Sequence, residues 1–191
     1  MGNALATGQG GVVTTAEVTE AGFRRESLGN LVNEGKLERY SRGIYTVVDE
    51  WPDEMVLLQR RYTRMVFSHE TALYLHGLAD MAPSRYTVTV PSGYNPRSLA
   101  DQDLQVYRCN RKLYPLGLTT TVTPYGNGVA AYDRERSLCD LFRGQDVVTE
   151  QINFAMREYL DSPEKNLPKL TDYAAKLRVA GRVDTYLRTV L

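Results

Sequence analysis

In the stretch "TTAEVTEAGFRRESLGNLVNEGKLERYSRGIYTV", Thr14 to Val47, Gly22, Gly35 and Gly43 cut the chain into pieces of a few residues each. Pieces this short cannot form a long helix or a broad sheet, so their order decides the fold. Thr14 can cap a helix, and Glu17 three residues later completes a capping box. Gly22 ends that helix, because glycine reaches the left-handed conformation at little cost. In "RRESLGNLVNEG", Leu28, Leu31 and Val32 fall at i, i+3 and i+4, which is one apolar stripe of a second helix. Gly35 stops it. Leu37 then precedes the turn "SRG", with Ile44, Tyr45, Val47 and Val48 beyond, a strand, glycine turn and strand. Two helices around a tight turn followed by a hairpin predict a helix-turn-helix with a wing.

With the apolar stripe inward, the 100° step per residue places Glu26, Asn30 and Asn33 on the outer face of the second helix. Arg24, Arg25 and Ser27 stand at its start, where a recognition helix meets the major groove. Arginine offers a fork to guanine and asparagine a bidentate pair to adenine. Lys36, Arg39 and Arg42 surround the hairpin turn, where cations contact phosphates or the minor groove and fix register rather than sequence. These seven residues are the expected DNA contacts. The alternative is a scaffold with an ordinary charged surface that serves docking or dimerisation. Residues 11–45 carry five basic and five acidic side chains, so DNA attraction has to come from clustering, not from net charge. A winged helix normally has three helices, and "NALAT" provides barely one turn; a helix starting near Glu54 could take that place.

"DEWPDE" reads as a linker, which predicts a DNA-binding domain over residues 1–50 and a second domain over 54–191. In the second, "EMVLLQRRYTRMV" and "SHETALYLHGL" read as helices, the latter with Ser68 as N-cap. "RYTVTVP", "LQVYRC", "GLTTTVTPYG" and "GVAAYD" are β-branched or aromatic runs between turn residues, hence four short strands. Asn127 and Gly128 are the expected positive-φ pair of the last turn. Four helical segments follow, from "RERSLCDLFRG" to "RVDTYLRTVL". The expected class is α+β: an N-terminal winged helix-turn-helix, then a small sheet and a C-terminal helical bundle.

Twenty-three basic and twenty-three acidic residues cancel, which excludes a cationic coat over the whole surface. No apolar run approaches the length of a membrane span, and "MGNALATGQGG" lacks the pattern of a signal peptide. A cytoplasmic protein is expected, with Cys109 and Cys139 reduced and buried. His69–Glu70 begins like a zinc-protease helix, but position 73 is Leu73 where the second histidine would be needed. His76, at a helix end, is expected to be partly protonated in favour of the helix dipole. No nucleophile elbow or phosphate-cradling loop is present. The expectation is therefore neither enzyme nor metal site, and no cofactor. Arg136 and Asp140, four residues apart, would pair on a helix surface, worth about 0.2–0.5 kcal/mol.

Taken in order, the winged-helix stretch, "SHETALYLHGL" and "ERSLCD" resemble the AbiEi antitoxin family of abortive-infection, type IV toxin–antitoxin systems, from about Gly11 to Leu191. The resemblance implies a winged helix that binds inverted repeats in operator DNA, self-associates there and represses its own operon. It also implies a C-terminal domain that counters a nucleotidyltransferase-like toxin without a stable complex. The matching positions in that domain are Ser68, Glu70, Glu135, Arg136 and Asp140, and a role in recognition is expected of them.

Overall fold

The computed structural model describes residues 10–94, 99–100, 102–144 and 149–190. The "NALAT" turn lies outside them. The chain forms two compact units, Met1–Thr63 with Val122–Val129, and Arg64–Thr121 with Ala130–Leu191. The first therefore extends past the expected boundary at residue 50 and includes the helix that starts at Glu54.

The first unit opens with strand β1 (Val12–Thr14), directly before helix α1 (Thr15–Glu20). Only the helix is expected from the sequence, since three residues show no alternation. Thr14 is both the end of the strand and the N-cap, and the predicted capping box with Glu17 is present in both directions. Helix α2 (Glu26–Asn33) follows, then strands β2 (Leu37–Ser41) and β3 (Ile44–Val47), and the three strands pair antiparallel in the order β1-β3-β2. A register shift between Arg39 and Ser41 bends the hairpin, and Gly43 (φ 78°) makes its turn. The Gly43 carbonyl accepts from Thr15 N at 2.9 Å, which holds the wing turn to the start of α1. Val13, Val18, Leu28, Leu37 and Val47 form the core, with Leu31 and Val32 packed on it. Burying each such side chain contributes roughly 1.5–3 kcal/mol.

Helix α3 (Glu54–Arg61) completes this unit. Its N-cap, Asp53, is buried and accepts from Met55 N (3.0 Å), Thr123 Oγ1 (2.5 Å) and Asn127 Nδ2 (2.9 Å). One carboxylate thus caps a helix and fixes the 122–129 tip, 70 residues away in sequence. The predicted linker is structural at its last residue. In the 122–129 turn the positive φ falls on Gly126, not on Asn127 and Gly128.

The second unit begins where the predicted helix "EMVLLQRRYTRMV" fails. Tyr62 is the C-cap of α3, and Val66–Phe67 forms strand β4. The remaining strands are β5 (Tyr86–Pro91), β6 (Leu104–Cys109), β7 (Leu118–Val122) and β8 (Gly128–Tyr132), and the sheet order is β6-β5-β4-β8-β7. The two-residue β4 is central, which explains why Val66 and Phe67 are buried. It is too short to show a period. Between β4 and β5 lies helix α4 (His69–Leu75).

Helices α5 (Arg134–Arg143), α6 (Thr149–Asp161), α7 (Leu167–Lys176) and α8 (Ala180–Val190) follow, as predicted. Leu138, Leu141 and Phe142 pack with Met156, Tyr159 and Leu170 in the core of this unit. Helix α5 is not amphipathic in the expected way, because Glu135, Arg136, Ser137 and Asp140 are buried as well.

Candidate functional site

In the first unit, Arg24, Arg25, Ser27 and Asn30 are exposed at the start and on the outer face of α2, and Lys36, Arg39 and Arg42 are exposed along the wing. Helix α2 presents them because Leu28 turns inward and is only 1% exposed. Arg25 occupies the N-cap position without a side-chain cap, which leaves the first N–H groups of α2 unclaimed by a side chain. Lys36 pairs with Glu34 at 2.7 Å, so its charge is partly spent locally. Arg24, Arg25, Arg39 and Arg42 form no ion pair among the described residues. Of the acids in this segment, Glu17 is engaged by Arg60 at 2.7 Å. Four arginines, before α2 and on the wing, thus stay without an ion pair among the described residues, as do the exposed Glu20, Glu26 and Glu38 of the same segment.

In the second unit the five expected positions separate. Ser68 stands at the N-cap of α4 but makes no side-chain cap hydrogen bond. It is fully buried and accepts from Thr89 Oγ1 at 2.8 Å, with His69 Nδ1 at 3.0 Å. Glu135 accepts from Tyr159 Oη at 3.0 Å and pairs with Lys169 at 3.0 Å. Burial opposes the charge of Lys169, but Asp133 and Glu135 outweigh it and raise its pKa. Both Ser68 and Glu135 serve the packing of the elements around them.

The surface pair expected of Arg136 and Asp140 is not a surface pair. Their side chains are 1% and 0% exposed, with Arg136 Nε 2.9 Å from Asp140. Arg136 also donates to the carbonyls of Leu113 (2.8 Å) and Leu116 (2.9 Å), and its guanidinium lies over the Tyr132 ring at 4.2 Å. Gly117 (φ 77°) allows this approach, since a Cβ there would lie 2.6 Å from Arg136 Cβ. Burial works against the guanidinium charge, but Asp140, Tyr132 and the hydrogen bonds outweigh it and raise its pKa. The i, i+4 spacing is right and the expected exposure is not, because spacing says nothing of what covers the helix.

Glu70, Arg136 and Asp140 do meet, with His69, Tyr107 and Arg143, around a cavity of about 200 Å³. An adjoining cavity of about 590 Å³ shares Glu70, Tyr107 and Leu141 with it. The His69 ring stacks on Tyr107 with centroids 3.6 Å apart, and the His69 backbone is left-handed (φ 48°). No local pattern signals this stack, since 38 residues separate the rings. Burial lowers the pKa of both histidines. For His76, burial outweighs the hydrogen bond that its Nε2–H donates to the Tyr132 carbonyl at 2.8 Å, so the shift runs against the partial charge expected of it.

Cys109 and Cys139 are buried and free. Among the described residues no group of three or more His, Cys, Asp or Glu side chains could hold a metal ion. No helix among them is long and apolar enough to cross a membrane.

Residues 3–48 match the family of transcriptional regulators described as AbiEi antitoxin, so the resemblance read from the sequence is borne out over the winged-helix segment. No curated protein matches the chain. Among solved structures, the RV2827C protein from Mycobacterium tuberculosis is similar at 19% identity, with a TM-score of 0.49, over 93% of this chain and 74% of that one.

Proposed function

We propose that this chain is an autoregulatory antitoxin of the type IV class. The first unit binds inverted repeats in its own promoter and represses it, two copies sitting on the two half-sites. The second counteracts a nucleotidyltransferase-like toxin. The observation that carries the DNA half is the set of unpaired, exposed arginines at the start of α2 and on the wing, in the segment that matches a regulator family. Arg24 and Arg25 face the groove, Asn30 reads a base edge, and Arg39 and Arg42 hold the backbone. For the second unit, the support is the resemblance of "SHETALYLHGL" and "ERSLCD", and Glu70 is the half-buried member of that set.

Fluorescence anisotropy with the protein's own promoter, against a scrambled duplex, tests the first half. Asn30→Ala should lose about 1–3 kcal/mol on the promoter and little on scrambled DNA. Failure of the unaltered chain to bind either duplex would leave the winged helix as a docking surface, and equal affinity for both would remove the operator reading. Growth rescue against the toxin encoded next to this chain tests the second half.

A further inference from the structure

We propose that the 590 Å³ cavity binds an alkyl cation, a guanidinium or ammonium group on a methylene stem. This stands independently of the DNA reading. The volume lies in the range of small-ligand sites, and apolar and polar side chains share its walls about equally. Leu73, Leu78, Leu141 and Phe154 supply the apolar part, which suits methylenes. Glu70 lines the same cavity, and its Oε2 is buried without a hydrogen-bond partner. A buried carboxylate oxygen in that state favours an N–H donor strongly.

The protein's own cations do not supply one. Arg136 and Arg143, across the smaller cavity, both engage Asp140, at 2.9 and 3.2 Å. Arg85, on the rim, faces Asp103 at 3.4 Å. Asp80 adds a second carboxylate to the lining. Two carboxylates, Glu70 and Asp80, stand against the one lining cation, Arg85, which already faces Asp103; with the apolar wall this favours a cation with an apolar stem over a phosphate or carboxylate ligand.

The cation could be a free metabolite or an arginine or lysine side chain of a peptide, and two probes separate these. The full chain, labelled at methionine methyls, is titrated with agmatine and with acetyl-Gly-Arg-Gly-amide. Met81 lines the cavity and reports binding, while the buried Met55, Met65 and Met156 serve as internal controls. A saturable Met81 shift is expected, weakened at least tenfold by Glu70→Gln. Agmatine binding alone identifies a free small cation, and peptide binding of equal or greater strength identifies a side chain. Should Glu70→Gln fail to fold, Ala82→Lys, on the exposed rim, is expected to weaken binding by placing a competing cation there. The proposal is overturned if neither probe saturates, if butanol shifts Met81 as agmatine does, or if the variant that folds binds within twofold of the original.

Discussion

Arginine is used in opposite ways in the two units. The first leaves Arg24, Arg25, Arg39 and Arg42 in solvent with no ion pair among the described residues. The second buries Arg136 against Asp140, two carbonyls and an aromatic face. An unpaired exposed arginine adds nothing to stability and is available to a phosphate. A buried one held by a carboxylate and two carbonyls organises the residues around it instead. The contrast teaches that a charged residue carried over from a family motif can be a contact in one place and a fastener in another. For "ERSLCD" the structure favours the fastener.

The contrast breaks most readily at Arg136. Arg136→Ala leaves Asp140 buried without that partner and the Leu113 and Leu116 carbonyls without donors. The expected loss is about 3–5 kcal/mol, read as a lower urea midpoint. A loss under about 1 kcal/mol would return Arg136 to the surface role that its spacing suggests. With a loss of several kcal/mol, poor growth rescue by this variant would report instability rather than a failure of recognition, so rescue has to be read beside the melt.

A smaller effect is expected at Asp53, where the first unit uses a buried charge of its own. Asp53→Ala removes the cap of α3 and the acceptor for Thr123 and Asn127. About 2 kcal/mol is expected. Asp53→Asn keeps one acceptor oxygen and should recover part of it. Faster amide exchange at residues 122–129 in the Ala variant would show that the cap also fixes the tip; unchanged exchange there would separate the two roles.

The histidines sharpen the contrast through pH. Burial holds His69 and His76 below the ordinary imidazole value of 6.5. The unfolded chain therefore binds more protons in the window just below 6.5. Stability is fully present above that value and falls as the pH drops through the window, levelling off below the folded-state values. His69→Gln with His76→Gln should flatten the pH dependence of the urea midpoint there, with carboxylates taking over at lower pH. An unchanged slope would mean that neither ring's pKa differs between the folded and the unfolded chain.

How much of this is legible in the sequence follows from where the information sits. The capping box at Thr14 and Glu17, the stripe of Leu28, Leu31 and Val32, and the Gly43 turn are each written within a few residues, and each is present. The exposure of Arg39 and Arg42 is legible too, because a hairpin tip has little to bury it. Strands β1 and β4 escape a sequence reading because three and two residues cannot display a period. Asp53 reads as part of a linker because its partners Thr123 and Asn127 lie 70 or more residues away. The same holds for the His69–Tyr107 stack and for the burial of Arg136, which depends on the loop at Leu113–Gly117 folding over α5. Local chemistry names the right residues, and only the tertiary structure says which of them are free.

The smallest effect on stability, and the most direct counterpart of Arg136, is expected at the wing. Arg39 and Arg42 are exposed and unpaired, so changing both to Ala should alter the urea midpoint by no more than about 0.5 kcal/mol. The same variant should bind all DNA more weakly. Each neutralised phosphate releases counterions, so the slope of log K against log salt should flatten by roughly 0.9 for every phosphate that the variant no longer neutralises. The weakening should be alike on promoter and scrambled duplexes, because phosphates carry no sequence. A larger effect on the promoter would place one of the arginines in a groove instead. An unchanged slope with an unchanged midpoint would remove the wing from the DNA interface and leave those charges as ordinary solvated surface. Two arginine substitutions that cost nothing in folding, set beside one that costs several kcal/mol, would then measure the difference between the units with the residue type held constant.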